Sequence, residues 1–178
     1  MFYFAYGSNM LQARIEERLG PCHRVGTAWL TEHMLRFHKD GRDGSGKCDI
    51  ALTGDTLDRV YGVVFEIRTE QKRRLDVFEG ADYSTYQVRV RNEAGILEAF
   101  AYRALGHAVN PNAVPFTWYK TLVLAGARDA GFPDPYIAAL RAVEAVPDPN
   151  GERHARHLSL LDAIAGKSTL SDGREESP

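Results

Sequence analysis

Cysteine is scarce: Cys22 and Cys48 are the only two in 178 residues. A pair so widely spaced supplies neither a disulfide framework nor a zinc cluster, and points to reduced thiols in a cytoplasmic protein. Long apolar runs are also missing. No stretch reaches the roughly 18 uninterrupted apolar residues of a membrane span. The apolar N-terminal stretch is too short for a secretory signal and lacks a basic flank. Nor is there an excess of positive charge, since 22 Lys and Arg face 24 Asp and Glu for a net charge of −2. Nucleic acids and anionic membranes call for a basic face, so neither partner is expected. Of the six histidines, only His154 and His157 have a metal-like spacing, and they sit in a polar tail with no cysteine beside them. A metal is not expected. No internal repeat is visible.

What remains is an ordinary globular composition. Apolar residues make up 44% and charged residues 26%, enough for one domain with a real core. The chain opens with a short aromatic strand, Phe2 to Tyr6, that runs into Gly7-Ser8-Asn9. Asn9 then reads as the N-cap of a helix from Met10, with Gln12 completing a weak capping box and Gly20 as the stop. Further strands are expected in "RVGTAWL", "MLRFHK", "CDIALT" and "RVYGVVFEIR". "YQVRVRN" and "ILEAFAYRA" form a hairpin. "TEQKRRLDVFEG" changes to helical period and ends at Glu79-Gly80. "FTWYKTLVLAGARDAG" and "DPYIAALRAVEAV" are helices. "HLSLLDAIAG" reads as a short helix, and "KSTLSDGREESP" as a flexible end. Strands and helices do not alternate strictly, which argues against a doubly wound parallel sheet. The fold class is α+β, with the strands curled into a sheet or barrel. The domain spans residues 1–146 and an extension follows over 147–178.

Two features suggest chemistry. At a strand-to-helix junction the free amides of Gly7, Ser8 and Asn9 can converge on an anion, although a simple capped turn explains the same residues. A P-loop needs a longer glycine loop and a lysine, and a nucleophile elbow needs Gly-x-Ser-x-Gly; neither is present. Glu79 sits at the unfavourable C-terminal end of its helix, among Val77, Phe78 and Ala81. Both circumstances raise a carboxyl pKa toward the range useful for acid–base work, though a solvated surface glutamate is the simpler reading. The "KRR" run at Lys72 to Arg74 reads as the wet face of that helix. The tyrosines read as core, with a few turned into a pocket.

Taken together, "YFAYGSN", "VYGVVFEI", "LDVFEGADYSTYQVRV" and "PFTWYKTLVLAGA" resemble, in order and spacing, the γ-glutamylcyclotransferases. The resemblance covers roughly residues 2–146. It implies a small mixed β-barrel surrounded by α-helices with a pocket at one end, no cofactor, and a small γ-glutamyl substrate. It implies a reaction in which the substrate's α-amine attacks its own γ-carbonyl, releasing 5-oxoproline and an amino acid or amine. By this likeness Glu79 is the catalytic acid/base. Tyr3, Phe4, Ala5, Tyr6, Gly7, Ser8 and Asn9 form the substrate loop, and Tyr86 and Tyr119 contact substrate. A homodimer is compatible with this reading. Asn9 after Tyr-Gly-Ser leans away from the glutathione-specific branch, and Ser8-Asn9 leans away from the Tyr-Gly-Thr-Leu of γ-glutamylamine enzymes. Three alternatives stay open: a cyclotransferase acting on γ-glutamylamines or protected antibiotic intermediates, a non-catalytic binding module, and an amidohydrolase. The loops over residues 40–47 and 106–115 are expected to read the leaving group.

Overall fold

The computed structural model describes the backbone of residues 1–171 and the side chains of residues 1–161. Among the described residues seven strands form in chain order: β1 (Phe2–Ala5), β2 (His23–Thr31), β3 (His33–Asp40), β4 (Gly46–Leu52), β5 (Arg59–Glu66), β6 (Tyr83–Asn92) and β7 (Gly95–Ala104). Five close into a barrel in the order β1-β5-β2-β6-β7, while β3 and β4 pair as a separate two-stranded arm. The ring closes through the one parallel contact, Tyr3 opposite Phe100, and the remaining barrel pairings are antiparallel. The expected small mixed barrel is therefore present.

The core inside and around the barrel is filled by strand residues of strong β propensity. Phe4, Val60, Val63, Val64, Phe65 and Val90 are buried. At Gly62 a Cβ would come within 2.5 Å of the Phe4 ring and of the Ala5 carbonyl oxygen. Glycine there lets Phe4 lie against the neighbouring strand.

Among the described residues five α-helices surround the barrel: α1 (Gln12–Leu19), α2 (Thr69–Glu79), α3 (Thr117–Asp129), α4 (Asp134–Ala142) and α5 (Gly151–Ser171). The start of α1 differs from the sequence reading. Ser8–Met10 make a single 3₁₀ turn, Leu11 is the N-cap, and no side chain caps the helix. Asn9 is thus not a cap; its side chain points elsewhere. On α2 Arg68 is the N-cap and Gln71 completes a capping box. α2 stops because Gly80 takes φ 77°, a backbone conformation that disfavours side chains and holds Glu79 at the helix end.

Beyond residue 146 the chain lies against α3. Trp118 Nε1 donates to Asp148 Oδ2 at 2.8 Å, and Arg153 grips both oxygens of Asp148 at 2.6 Å. The His157 ring stacks on Trp118 with centroids 3.9 Å apart. α5 is longer than the short helix expected, continuing through 167–171 where the sequence suggests a flexible end. The rest of that end, 172–178, lies outside the described residues. No helix among the described residues is long and apolar enough to cross a membrane.

Candidate active site

At one end of the barrel lies a cavity of about 450 Å³, a size suited to a small metabolite. Its walls come from the β1–α1 junction, the ends of α2 and α3, the β3–β4 arm, and α5.

Glu79 stands in this wall with its side chain 15% exposed. Asn9 Nδ2 donates to Glu79 Oε1 at 3.0 Å and also to the Tyr3 hydroxyl at 3.1 Å. Arg18 Nη1 lies 3.6 Å from Glu79 Oε1 and donates to Asn9 Oδ1 at 2.9 Å. These contacts fix the carboxyl, the amide and the phenol relative to one another. Burial raises the Glu79 pKa above its ordinary value, against Arg18 and Asn9, which lower it. Of the apolar neighbours noted in the sequence, Val77 is exposed, whereas Phe78 lines the cavity together with Glu79.

The phenols lie in the same wall. The Tyr3 hydroxyl accepts from Asn9, so its own proton can be given to a ligand. Burial, helped by the nearby Glu79, pushes the Tyr3 pKa far up and keeps it a donor. Tyr6 donates to the Tyr102 carbonyl, Tyr83 donates to the Cys48 carbonyl at 2.6 Å, and Tyr119 accepts from the Cys48 amide at 3.1 Å. Cys48 is buried with its pKa pushed up to about 12, an inert thiol.

Of the residues singled out by sequence, Tyr3, Tyr6, Gly7, Ser8, Asn9, Glu79 and Tyr119 meet at the cavity. Three do not. Phe4 and Ala5 are fully buried in the barrel and do not line the cavity. Tyr86 is also elsewhere, 5.9 Å from the His33 ring and 5.1 Å beneath the Arg103 guanidinium. Tyr83, on the same strand, is the tyrosine at the cavity. Of the two loops expected to read the leaving group, residues 40–47 contribute Gly41, Arg42, Asp43 and Lys47 to the wall, whereas 106–115 contribute nothing. The latter loop props the former: Gly46 N–H donates to Val114 O at 2.8 Å and Asn110 N–H to His38 O at 2.7 Å.

Sequence reading missed the cations. Six line the cavity, Arg14, Arg18, Lys39, Arg42, Lys47 and Arg156, against two carboxylates, Asp43 and Glu79. Arg14 and Arg18 are spaced by one helical turn on α1, a pattern visible in the sequence once that helix is placed beside the loop. Lys39 and Lys47 face each other across the β3–β4 pair. Like charges directly opposite are unfavourable; here each finds its own acid, Asp82 at 3.3 Å and Asp43 at 2.8 Å. That pairing is set by strand register, which no local motif reveals. Among the described residues, no three His, Cys, Asp or Glu side chains gather as metal ligands. The cavity thus sets an excess of cationic side chains around one perturbed carboxyl.

Comparisons with known proteins bear on the fold as a whole. The AIG2-like family model matches residues 59–140. Human γ-glutamylcyclotransferase is 28% identical over 80% of this chain and 78% of its own length. The mouse protein of the same name is 28% identical over 95% of this chain and 90% of its own. A solved γ-glutamyl cyclotransferase structure superposes with a TM-score of 0.73 at 27% identity, covering 84% of this chain and 89% of that one. By sequence and by fold together, the chain is similar to the γ-glutamylcyclotransferases and shares their fold.

Proposed function

We propose that this protein cleaves γ-glutamyl amino acids or amines by intramolecular cyclisation, with Glu79 as the acid/base. The observation that carries the reading is the Glu79 carboxyl itself, mostly buried in a cation-rich cavity and hydrogen-bonded to Asn9.

The chemistry follows from what such a substrate needs. Near neutral pH its α-amine is an ammonium and cannot attack. The Glu79 carboxylate receives that ammonium and takes its proton. The freed amine attacks the γ-carbonyl carbon and closes a five-membered ring. The substrate supplies proximity, because nucleophile and electrophile belong to one molecule. The oxyanion that forms needs donors in place beforehand. The Tyr3 hydroxyl and the amides of Gly7 and Ser8 supply them for the oxyanion and for the α-carboxylate. As the carbon–nitrogen bond to the leaving group breaks, Glu79 gives the first proton to the departing nitrogen, then takes the ring nitrogen's second proton and passes it to the released amine, which leaves as an ammonium. 5-Oxoproline and a free amine result, and no water is consumed.

The raised pKa suits both halves of this proton shuttle, since transfer is most efficient when donor and acceptor are matched near the working pH. The test is a product assay with γ-glutamyl dipeptides, γ-glutamyl-lysine and glutathione, read by mass spectrometry, with Glu79→Gln in parallel. The expected result is 5-oxoproline from the wild type and a turnover lower by ~10²–10⁴ in the variant. Free glutamate instead of 5-oxoproline means hydrolysis and overturns the reading, as does near-native turnover by Glu79→Gln.

A further inference from the structure

Cys48 of β4 sits where the β3–β4 pairing slips. Arg36 faces Asp49 and Lys39 faces Lys47, so Phe37 and His38 together stand opposite Cys48 alone. This is a β-bulge, an arrangement that re-aims the residues around it. Here the Cys48 backbone turns to the barrel for its partners. Its N–H donates to the Tyr119 hydroxyl at 3.1 Å, and its carbonyl accepts from the Tyr83 hydroxyl at 2.6 Å. Two side chains, one from the start of β6 and one from the first turn of α3, thus do for Cys48 what a neighbouring strand does elsewhere. Cys48 is 2% exposed, so both backbone groups need those partners. Burial pushes the pKa of each phenol up, and each keeps its proton near neutral pH.

The Cys48–Tyr119 contact also lies beneath the loop that follows β1. A Cβ at Gly7 would stand 3.2 Å from the Cys48 Cβ and 3.2 Å from the Tyr119 hydroxyl oxygen. Gly7 therefore rests on this pair with little room for a side chain. On the other flank of Cys48 in the chain, Asp49 Oδ1 accepts from the Ala104 amide at 2.8 Å, and Lys39 of the arm reaches Asp82 at 3.3 Å. The arm has other anchors, but these two phenols hold it at the cavity wall itself.

We infer that Tyr83 and Tyr119 are positioning residues: together they clamp the Cys48 backbone, and so fix the β3–β4 arm at the cavity and the Gly7 loop that rests on it. The clamp stands on these contacts alone. Its effect on turnover rests on the cyclotransferase reading above, in which the Gly7 and Ser8 amides meet the substrate. A loosened clamp displaces those amides and leaves Glu79, held by Asn9, in place. The loss therefore falls on KM more than on kcat.

Cys48 carries its own reporter. With Cys22→Ser it is the only thiol of the full-length chain, and it is buried. Its modification by N-ethylmaleimide, followed by mass spectrometry, reads how often the arm lifts. Tyr83→Phe and Tyr119→Phe should each speed labelling about 5- to 50-fold, the opening that goes with a buried backbone group left unpaired. Low, non-denaturing urea should leave those rates nearly unchanged, since local opening exposes little surface. The double variant should label little faster than either single one, because both hydroxyls grip one residue. In steady-state kinetics with γ-glutamyl-alanine, each variant should raise KM and keep kcat within a few-fold. Unchanged labelling in both single variants overturns the inference, as does labelling that rises with urea as steeply as global unfolding. In the wild type the Cys48 amide should exchange with solvent deuterium as slowly as its strand neighbours; fast exchange there overturns the clamp without any variant. If the wild type releases no 5-oxoproline, the cyclotransferase reading falls, and labelling and exchange still decide the clamp.

Discussion

Asn9 Nδ2 lies 3.0 Å from Glu79 Oε1, joining the first loop of the chain to the end of α2 across 70 residues. The contact opposes the desolvation of the carboxyl, as does Arg18. Removing either should let the Glu79 pKa rise further. The activity of a base is lost as pH falls through its pKa. The acid limb of the kcat/KM profile should therefore lie above the ordinary glutamate range in the wild type, and shift to higher pH in Arg18→Gln. An unshifted limb in that variant would contradict this electrostatic account.

The same shift bears on stability. A carboxyl whose pKa is raised by folding binds more protons folded than unfolded, so its contribution to stability falls as pH rises from its unfolded value of 4.5 through the folded one. Above that window Glu79→Gln, which keeps an oxygen for Asn9, should melt no lower than the wild type while losing turnover. Thermal melts at pH 7 check this. A marked drop in Tm would mean that the carboxylate holds the fold together.

Tyr86 and Tyr119 make opposite predictions. Tyr119 is at the cavity and holds the Cys48 amide. Tyr86 is away from it, beside His33 and Arg103. Tyr86→Phe should leave kcat and KM unchanged within error, whereas Tyr119→Phe should raise KM or lower kcat. Steady-state kinetics on both variants decides. An impaired Tyr86→Phe would restore the role that family likeness gives this residue.

Gly126 of α3 packs directly on the 3₁₀ turn after β1. A Cβ there would stand 2.9 Å from the Met10 Cβ and 3.3 Å from the Leu11 amide nitrogen. Gly126→Ala should cost about 1–3 kcal/mol by overpacking, more than the helix propensity of alanine returns. Because the same turn carries Ser8 and Asn9, the variant should also lose activity at temperatures where it is still folded. Denaturant titration and kinetics at one temperature separate the two effects.

α5 should loosen in acid. The folded pKa of His157 is depressed to about 4 from 6.5, by burial and then by Arg14, with Arg156, Arg18 and Lys47 adding to it. A depressed pKa gives stability that is present above the unfolded value and lost as pH falls toward the folded one. Amide exchange in α5 should accelerate between about pH 6.5 and 4 relative to α3, after correction for the intrinsic pH dependence of exchange. His157→Gln should flatten that difference. Asp148, whose pKa Arg153 lowers, stays ionised through this window and cannot be the trigger.

Much of this molecule was determined by local sequence. Alternating and β-branched runs specified the strands, glycines at residues 80 and 131 ended or followed helices, and the Tyr3-to-Asn9 stretch and Glu79 stood out as candidate chemistry. These signals are legible because periodicity and turn conformation act over a few residues. Tertiary structure decided the rest. It took Asn9 away from a helix cap and gave it to Glu79, whose buried carboxyl needs a donor. It turned Tyr83 rather than Tyr86 to the cavity and buried Phe4 in the barrel, since strand position around a closed ring selects which side chains face which space. It gathered Arg14, Lys39, Lys47 and Arg156 from α1, the β3–β4 arm and α5 into one wall. Charge at a site is a sum over distant segments, and only the closed fold performs that sum.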